Sequence, residues 1–113
     1  MIRRLADERC FPPQEGDSSL SGEELAELCE ALNRWKLDHR EGVARIVKVF
    51  SFRSAADGQT FAQGVSTLAE REDHHPEIVV EESRVTVVWW TRRLRGLHRN
   101  DFIMAAKTDR LAG

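Results

Sequence analysis

Several residue types are scarce in this chain of 113 residues, and each scarcity excludes a class of protein. The only cysteines, Cys10 and Cys29, are too few for a disulfide framework and have no metal or redox spacing, so we expect two reduced, structural thiols. No apolar run approaches the ~20 residues that a membrane span needs, and the first residues lack the apolar core of a secretory signal. We therefore expect a cytoplasmic protein that does not bind membranes.

Neither sign of charge is in clear excess. With 17 basic and 19 acidic residues the net charge is −2, which gives no general case for nucleic-acid binding. Hydrophobic residues make up 41% of the chain, a fraction typical of a folded domain and too high for a disordered protein. We expect an irregular N-terminal segment over residues 1–20, where turn formers such as Pro12, Pro13 and Gly16 leave little to anchor a core. A single domain is expected over residues 21–113.

Local patterns predict a helix and a hairpin in the first half of that domain. Ser21 to Glu24 has the pattern of a capping box, and apolar residues follow at helical spacing as far as about Asn33. Residues 35–40 and 43–52 are predicted strands, because the second is rich in β-branched and aromatic residues and Glu41-Gly42 between them favours a turn.

The second half repeats the order of a helix and two strands, and a final helix follows. Apolar residues at helical spacing predict a helix from about Asp57 to Asp73. Strands are predicted over residues 77–82 and 84–91, and Asn100-Asp101 begins the last helix. The order αββαββα predicts an α+β fold, with a four-stranded antiparallel sheet and helices packed on one face.

The strand predicted over residues 84–91 is apolar on both faces. Trp89 falls on one face and Trp90 on the other, each beside valines. Helices can cover only one face of so small a sheet, so we expect the other face at a subunit interface, with Trp89 and Trp90 as candidate interface residues. The alternative is an edge strand covered by the N-terminal segment.

Two adjacent histidines carry the strongest chemical signal in the chain. His74 and His75 lie at the end of the second predicted helix, and Pro76 is expected to stop that helix. Histidine is the side chain whose ordinary pKa lies near neutrality, so the pair is placed for proton transfer. The alternative is a pair of solvated or hydrogen-bonded structural histidines. Zinc binding by the four histidines of the chain is disfavoured, since adjacent histidines seldom chelate one ion, and no metal site is predicted.

Residues 20–111 as a whole resemble the pterin-4a-carbinolamine dehydratases. The likeness rests on Glu70, on the Asp73-His-His-Pro76 motif and on an ordered set of flanking residues: Trp35, Phe50, Phe52, Phe61, Thr91, Gly96, Leu97 and Asp101. The resemblance implies an αββαββα subunit that dimerises through its sheet, often as a tetramer of two dimers. It also implies a hydro-lyase that removes water from a 4a-hydroxytetrahydropterin without a metal or an organic cofactor.

The same resemblance assigns roles to individual residues. His74 and His75 would be two of three catalytic histidines, and the ligand pocket would include Glu70, Pro76, Thr91 and Asp101.

Four positions depart from the family pattern. The third histidine falls on position 92, where this chain has Arg92, and a guanidinium stays protonated and cannot act as a general base, although it can hold a carbonyl or carboxylate. Ile78, Val80 and Glu82 stand where an aromatic residue, an amide and a phenol would help to hold a flat ligand. The sequence therefore predicts a degraded active site and loss of efficient dehydratase activity.

Two functions of different classes remain open. The favoured one is a non-catalytic assembly or chaperone role, because divergent proteins similar to this family help Rubisco to assemble in the α-carboxysome context. In that role Rubisco would be the partner, and the cytoplasmic protein would associate with a bacterial microcompartment. The arginines of the basic loop Arg92-Arg93-Leu94-Arg95 either form part of such a partner surface or are simply solvated. The alternative is an active 4a-hydroxytetrahydrobiopterin dehydratase of pterin recycling, in which His74 and His75 transfer protons and Arg92 polarises the substrate.

Overall fold

The computed structural model describes residues 4–13, 19–32 and 34–113. The α-helices and strands in these ranges are α1 (Gly22–Glu30), β1 (Lys36–Arg40), β2 (Val43–Ser51), α2 (Ala55–Glu72), β3 (Glu77–Glu81), β4 (Arg84–Trp89) and α3 (Arg99–Ala112). The predicted order αββαββα and the α+β class are confirmed. Short 3-10 helices cover Leu5–Asp7 and Arg92–Leu94, and Asn33 lies outside the described ranges. Among the helices described, none is both long and apolar enough to cross a membrane.

The four strands form one antiparallel sheet in the order β1-β2-β4-β3. The turn between β1 and β2 has positive φ at Glu41 (53°) and Gly42 (80°), the combination that a two-residue type I′ hairpin requires. The two strands richest in apolar residues are central, with Ile46 opposite Trp89 and Phe50 opposite Val85. The order of strands therefore places the most apolar part of the chain in the middle of the sheet.

The core lies between one face of the sheet and the helices α2 and α3. The apolar residues that recur at helical spacing along α2 are buried there. One of them, Phe61, packs on Phe50 at a ring-centroid distance of 4.7 Å. Lys48 shares this face, as the alternation of β2 predicts, and its Nζ lies 2.7 Å from Asp109 Oδ1. β4 and α3 contribute five more core side chains: Val85, Val87, Trp89, Phe102 and Met104.

The opposite face of the sheet, which we call the outer face, remains partly uncovered. Val49 is 53% exposed there, and Trp90 is partly exposed. Trp89, by contrast, is fully buried in the core, and its indole N–H donates to Thr108 Oγ1 at 3.3 Å. The interface prediction is therefore wrong for Trp89, because strand alternation turns it towards α3, whereas Trp90 remains a candidate interface residue.

The N-terminal segment contributes more to the fold than its turn-forming residues predict. Ala6 is buried, and its carbonyl accepts a hydrogen bond from Lys107 Nζ at 3.0 Å. Glu8 forms two hydrogen bonds with the Arg99 guanidinium, at 3.0 and 2.7 Å. The expectation that little in this segment could anchor a core is wrong for its described part, since these contacts join it to α3. The predicted turn former Gly16 lies outside the described ranges.

Candidate functional site

The end of α2 places the predicted histidine pair. The helix ends at Glu72, and Asp73 follows with φ 53°, a left-handed conformation that aspartate adopts more readily than most residues. The chain thus leaves the helix before Pro76, and both histidines lie in the link to β3. Their side chains have different surroundings, because that of His74 is 10% exposed and that of His75 is 50% exposed.

Asp101, in the first turn of α3, holds His74. Its carboxylate is fully buried, and its Oδ1 lies 2.6 Å from His74 Nε2. Its Oδ2 accepts hydrogen bonds from the Thr91 hydroxyl at 2.7 Å and from the His98 backbone N–H at 3.0 Å. A buried carboxylate needs donors in place of water, and these three contacts supply them. The network therefore joins the end of α2, the residues after β4 and the start of α3.

This network fixes the orientation of the His74 ring. An ionised carboxylate only accepts hydrogen bonds, so opposite an ionised Asp101 it is Nε2 that donates, and Nδ1 is the nitrogen left to exchange a proton. The imidazole also stacks on the Trp89 indole, with ring centroids 5.7 Å apart and planes 8° apart. His74 is thus an immobilised side chain with one nitrogen able to accept a proton.

His75 and Glu70 form a separate pair at the surface. His75 Nε2 lies 3.3 Å from Glu70 Oε1, and both side chains are exposed. Such a pair contributes little stability, because water competes for both groups. Of the predicted pocket residues, Thr91 and Asp101 are therefore joined to His74, while Glu70 is joined to His75.

The two other histidines lie on different elements. His98 is the N-cap of α3, and its Nδ1 accepts a hydrogen bond from the Asn100 backbone N–H at 3.0 Å. His39 lies on β1 with its side chain exposed. The structure therefore uses His98 as a helix cap beside the Asp101 network.

A cavity of about 320 Å³ opens beside His74. One part of its lining is residues 71–74 at the end of α2, and another is residues 9–13, an N-terminal segment that we call the strap. Asn100 completes the lining, and its side chain bonds to Phe11 of the strap, 89 positions away. Sequence reasoning missed the strap and Asn100, because nothing in a local pattern indicates a contact over that separation.

Comparison with known proteins identifies the family. The family model described as pterin 4 alpha carbinolamine dehydratase matches residues 18–111. The chain belongs to the pterin-4a-carbinolamine dehydratase family. A Microcystis aeruginosa protein named "Putative pterin-4-alpha-carbinolamine dehydratase" is 42% identical over 108 residues, which cover 96% of this chain and 93% of that relative.

Two solved structures are similar to this pterin-4a-carbinolamine dehydratase family member. The transcriptional coactivator/pterin dehydratase of Brucella melitensis has a TM-score of 0.77 and 30% identity, over 85% of this chain and 100% of that chain. A pterin dehydratase-like protein identified as a RuBisCO assembly factor in the alpha-carboxysome has a TM-score of 0.62 and 24% identity, over 72% of this chain and 92% of that chain. The second likeness shows the fold alone.

Arg92, which the sequence resemblance places at the family's third histidine, follows Thr91 directly in the chain. Its guanidinium carbon lies 4.8 Å from the centroid of the Trp90 ring, in the geometry of a cation–π contact, and its side chain is exposed. The guanidinium carbon of Arg45 lies 5.6 Å from the same centroid. The backbone of Arg92 is therefore beside the Asp101 network, while its charge is placed against Trp90. A role for Arg92 in holding a substrate stays a prediction.

The three other departures predicted from the resemblance lie along β3 and the turn after it. Ile78 is opposite Val87 and packs against the core, and Val80 is opposite Val85. Glu82 lies in the turn after β3 with φ 55°. At ~3.3 Å per residue the turn lies roughly 16 Å from the start of β3. Within one chain, Ile78 is therefore the departure most relevant to the His74 cleft, and Glu82 is remote from it.

The thiol of Cys10, in the strap, is expected to be slow to alkylate. Burial, with a further contribution from the Glu72 carboxylate, raises the pKa of Cys10 from 9.0 to about 12, and burial also raises the pKa of Cys29. The thiolate is the reactive form, so at pH 8 Cys10 should hold roughly a thousandfold less thiolate than a thiol of pKa 9.0. Mass spectrometry after timed iodoacetamide treatment should show Cys29 modified first. Equal alkylation rates of Cys10 and Cys29 are expected only after denaturation. Equal rates in the folded protein would contradict the burial of Cys10.

Proposed function

We propose that this family member binds a reduced pterin in the cleft beside His74 and dehydrates it slowly. The observation that carries the proposal is the 2.6 Å contact between His74 Nε2 and the buried Asp101 carboxylate, since it holds one imidazole in a fixed orientation beside the cavity. The adjoining cavity of about 320 Å³ is within the range of small-molecule sites. Membership of the family supports a pterin as the ligand class.

The family's reaction requires one proton to leave the substrate and another to arrive. A base takes a ring N–H proton, a C=N bond forms as the C–O bond breaks, and an acid protonates the departing hydroxyl to give water. We assign the base to His74, whose Nδ1 can accept a proton while Nε2 donates to Asp101. The acid is assigned to His75, which follows His74 directly in the chain and has Glu70 as its hydrogen-bond partner.

Arg92 is the reason for the expected slow rate. A guanidinium stays protonated in proteins and cannot replace an imidazole that exchanges protons. Loss of one acid or base group typically lowers a rate about 100- to 10,000-fold. The proposal thus retains the degraded active site predicted from the sequence, together with the parts of that site that bind and orient a ligand.

The first experiment measures binding and dehydration on the same protein. A titration with 7,8-dihydrobiopterin, followed by tryptophan fluorescence, is expected to saturate, because Trp89 stacks on His74. Stopped-flow absorbance with the 4a-carbinolamine should show a rate above the uncatalysed one, which His74→Ala abolishes and His39→Ala, on exposed β1, leaves unchanged. A flat titration together with background rates would overturn the proposal.

Restoring the missing histidine is expected to recover only part of the activity. Arg92→His supplies an imidazole next to Thr91 and should raise kcat/KM about tenfold or more. The double variant with Ile78→Trp should be faster again, because an aromatic side chain returns near the start of β3 to hold the planar ligand. Arg95→His, at an exposed position in the same loop, is the matched control and should have no effect. A single Arg92→His variant as fast as the double variant would show that Ile78 matters little.

A second candidate is the assembly role, and the outer face of the sheet favours it. Val49 and Val79 expose apolar side chains on this face, 53% and 40% respectively, where a partner or a second copy of the chain could pack. The test is the yield of assembled Rubisco in a co-expression experiment with and without the chain. Val49→Lys should remove any gain and should also lower the mass measured by light scattering if the face is a homodimer interface. An unchanged yield with the wild-type chain would reject the assembly role.

A further inference from the structure

The N-terminal strap, residues 9–13, lies across the cavity from the end of α2 and is attached at several points. The Cys10 backbone N–H donates to Glu72 Oε1 at 3.0 Å, and the Pro13 carbonyl accepts from Arg93 at 3.3 Å. Between these points Asn100 contacts Phe11 through both atoms of its side-chain amide. The strap therefore has a defined position with respect to His74.

Asn100 holds the Phe11 backbone through two hydrogen bonds, which we call the latch. Its Oδ1 accepts from the Phe11 backbone N–H at 3.3 Å, and its Nδ2 donates to the Phe11 carbonyl at 2.6 Å. Asn100 is buried and precedes Asp101, which holds His74. Two consecutive residues in the first turn of α3 thus position two parts of the same cavity lining. Any shift of this turn would move the strap and His74 together.

We infer that the strap is a binding wall of the ligand cleft, that Phe11 supplies its stacking surface and that Asn100 positions it; this inference rests on the proposed function. Phe11 lines the cavity and is 70% exposed, so its ring is available to a planar ligand. Planar heterocycles are commonly held by aromatic faces together with a few polar groups. Ile78 occupies the position at which the family has an aromatic residue, and Phe11 provides an aromatic ring to the cleft from another part of the chain.

The test is a titration with 7,8-dihydrobiopterin of the wild type and three variants. Phe11→Ala removes an exposed ring, so it should leave folding intact and weaken binding about 5- to 10-fold. Asn100→Asp keeps an acceptor for the Phe11 N–H but places an oxygen against the Phe11 carbonyl, so it should weaken binding about threefold or more. Arg110→Gln breaks another contact of the N-terminal segment, the 2.7 Å pair with Asp7, outside the cleft lining, and should bind like the wild type.

Alkylation of Cys10 reports independently on the strap. Asn100→Asp should speed this reaction relative to that of Cys29 in the same molecule, whereas Phe11→Ala should leave the ratio unchanged, because it removes a side chain and keeps the latch. Saturating pterin should slow the reaction further in the wild type. If the wild type binds pterin and both Phe11→Ala and Asn100→Asp bind equally well, the strap inference alone is overturned. Absence of any pterin binding to the wild type overturns the proposed function and the strap inference with it.

Discussion

Replacing Asp101 by asparagine is expected to lower the free energy of unfolding by about 2–4 kcal/mol. The buried carboxylate accepts from His74, Thr91 and the His98 backbone. An amide of the same shape keeps one acceptor atom for Thr91 and His98, so its NH₂ group faces His74 Nε2 and requires the tautomer with the proton on Nδ1. Three hydrogen bonds to a charged acceptor are thereby replaced by weaker neutral ones. Urea denaturation followed by circular dichroism measures the loss, and pterin affinity should fall as His74 loses its fixed orientation.

A matched variant separates this effect from a simple change of charge. Asp57→Asn alters an exposed aspartate in the first turn of α2, whose backbone N–H is already bound by Ser54 Oγ. Surface substitutions of this kind usually change the free energy of unfolding by no more than about 0.5 kcal/mol. If Asp101→Asn were no more destabilising than Asp57→Asn, the three contacts would not form in solution as they do in the structure.

Truncating Trp89 is expected to have the largest effect on stability of any change considered, about 3–5 kcal/mol for Trp89→Ala. The side chain is fully buried, its N–H binds Thr108 and its ring stacks on His74. Its loss leaves a void beneath the site, so pterin binding should weaken as well. Thermal and urea unfolding both measure the change.

The adjacent tryptophan is the natural comparison for this experiment. Trp90 points to the outer face, is partly exposed and lies near the guanidinium groups of Arg45 and Arg92. Cation–π contacts at exposed sites contribute about 0.5–1 kcal/mol, so Trp90→Ala should cost about 1 kcal/mol. It should also reduce self-association if the outer face is an interface. Equal losses of stability in the two variants would contradict the assignment of Trp89 to the core.

The local elements of the fold could be predicted because each depends on residues close together in the chain. The Ser21 capping box forms as expected, with Ser21 and Glu24 exchanging hydrogen bonds. The helical stripe of α2 is buried at Phe61, Val65 and Ala69. Element ends differ from prediction by a few residues, as at α2, which begins at Ala55, because helix ends depend on capping contacts that apolar spacing does not report.

The site could be predicted only in part, since its chemistry depends on contacts between distant residues. The family motif selected His74, Thr91 and Asp101, and the structure joins them, but the motif treats His74 and His75 alike. Asp73 in the left-handed region and the packing of α3 leave one histidine buried on Asp101 and the other at the surface. No local pattern indicated that the strap lies beside His74, because its contact with Asn100 joins positions 89 apart.

The sequence by itself determined the order of the elements, the family and the presence of Arg92 where an imidazole is expected, because these depend on residue identity and short-range periodicity. The tertiary structure decided which face of β4 is the core, which histidine is immobilised and which N-terminal residues border the cleft. These outcomes depend on packing: a side chain is held only when the helix, strand or strap that carries its partner docks against it.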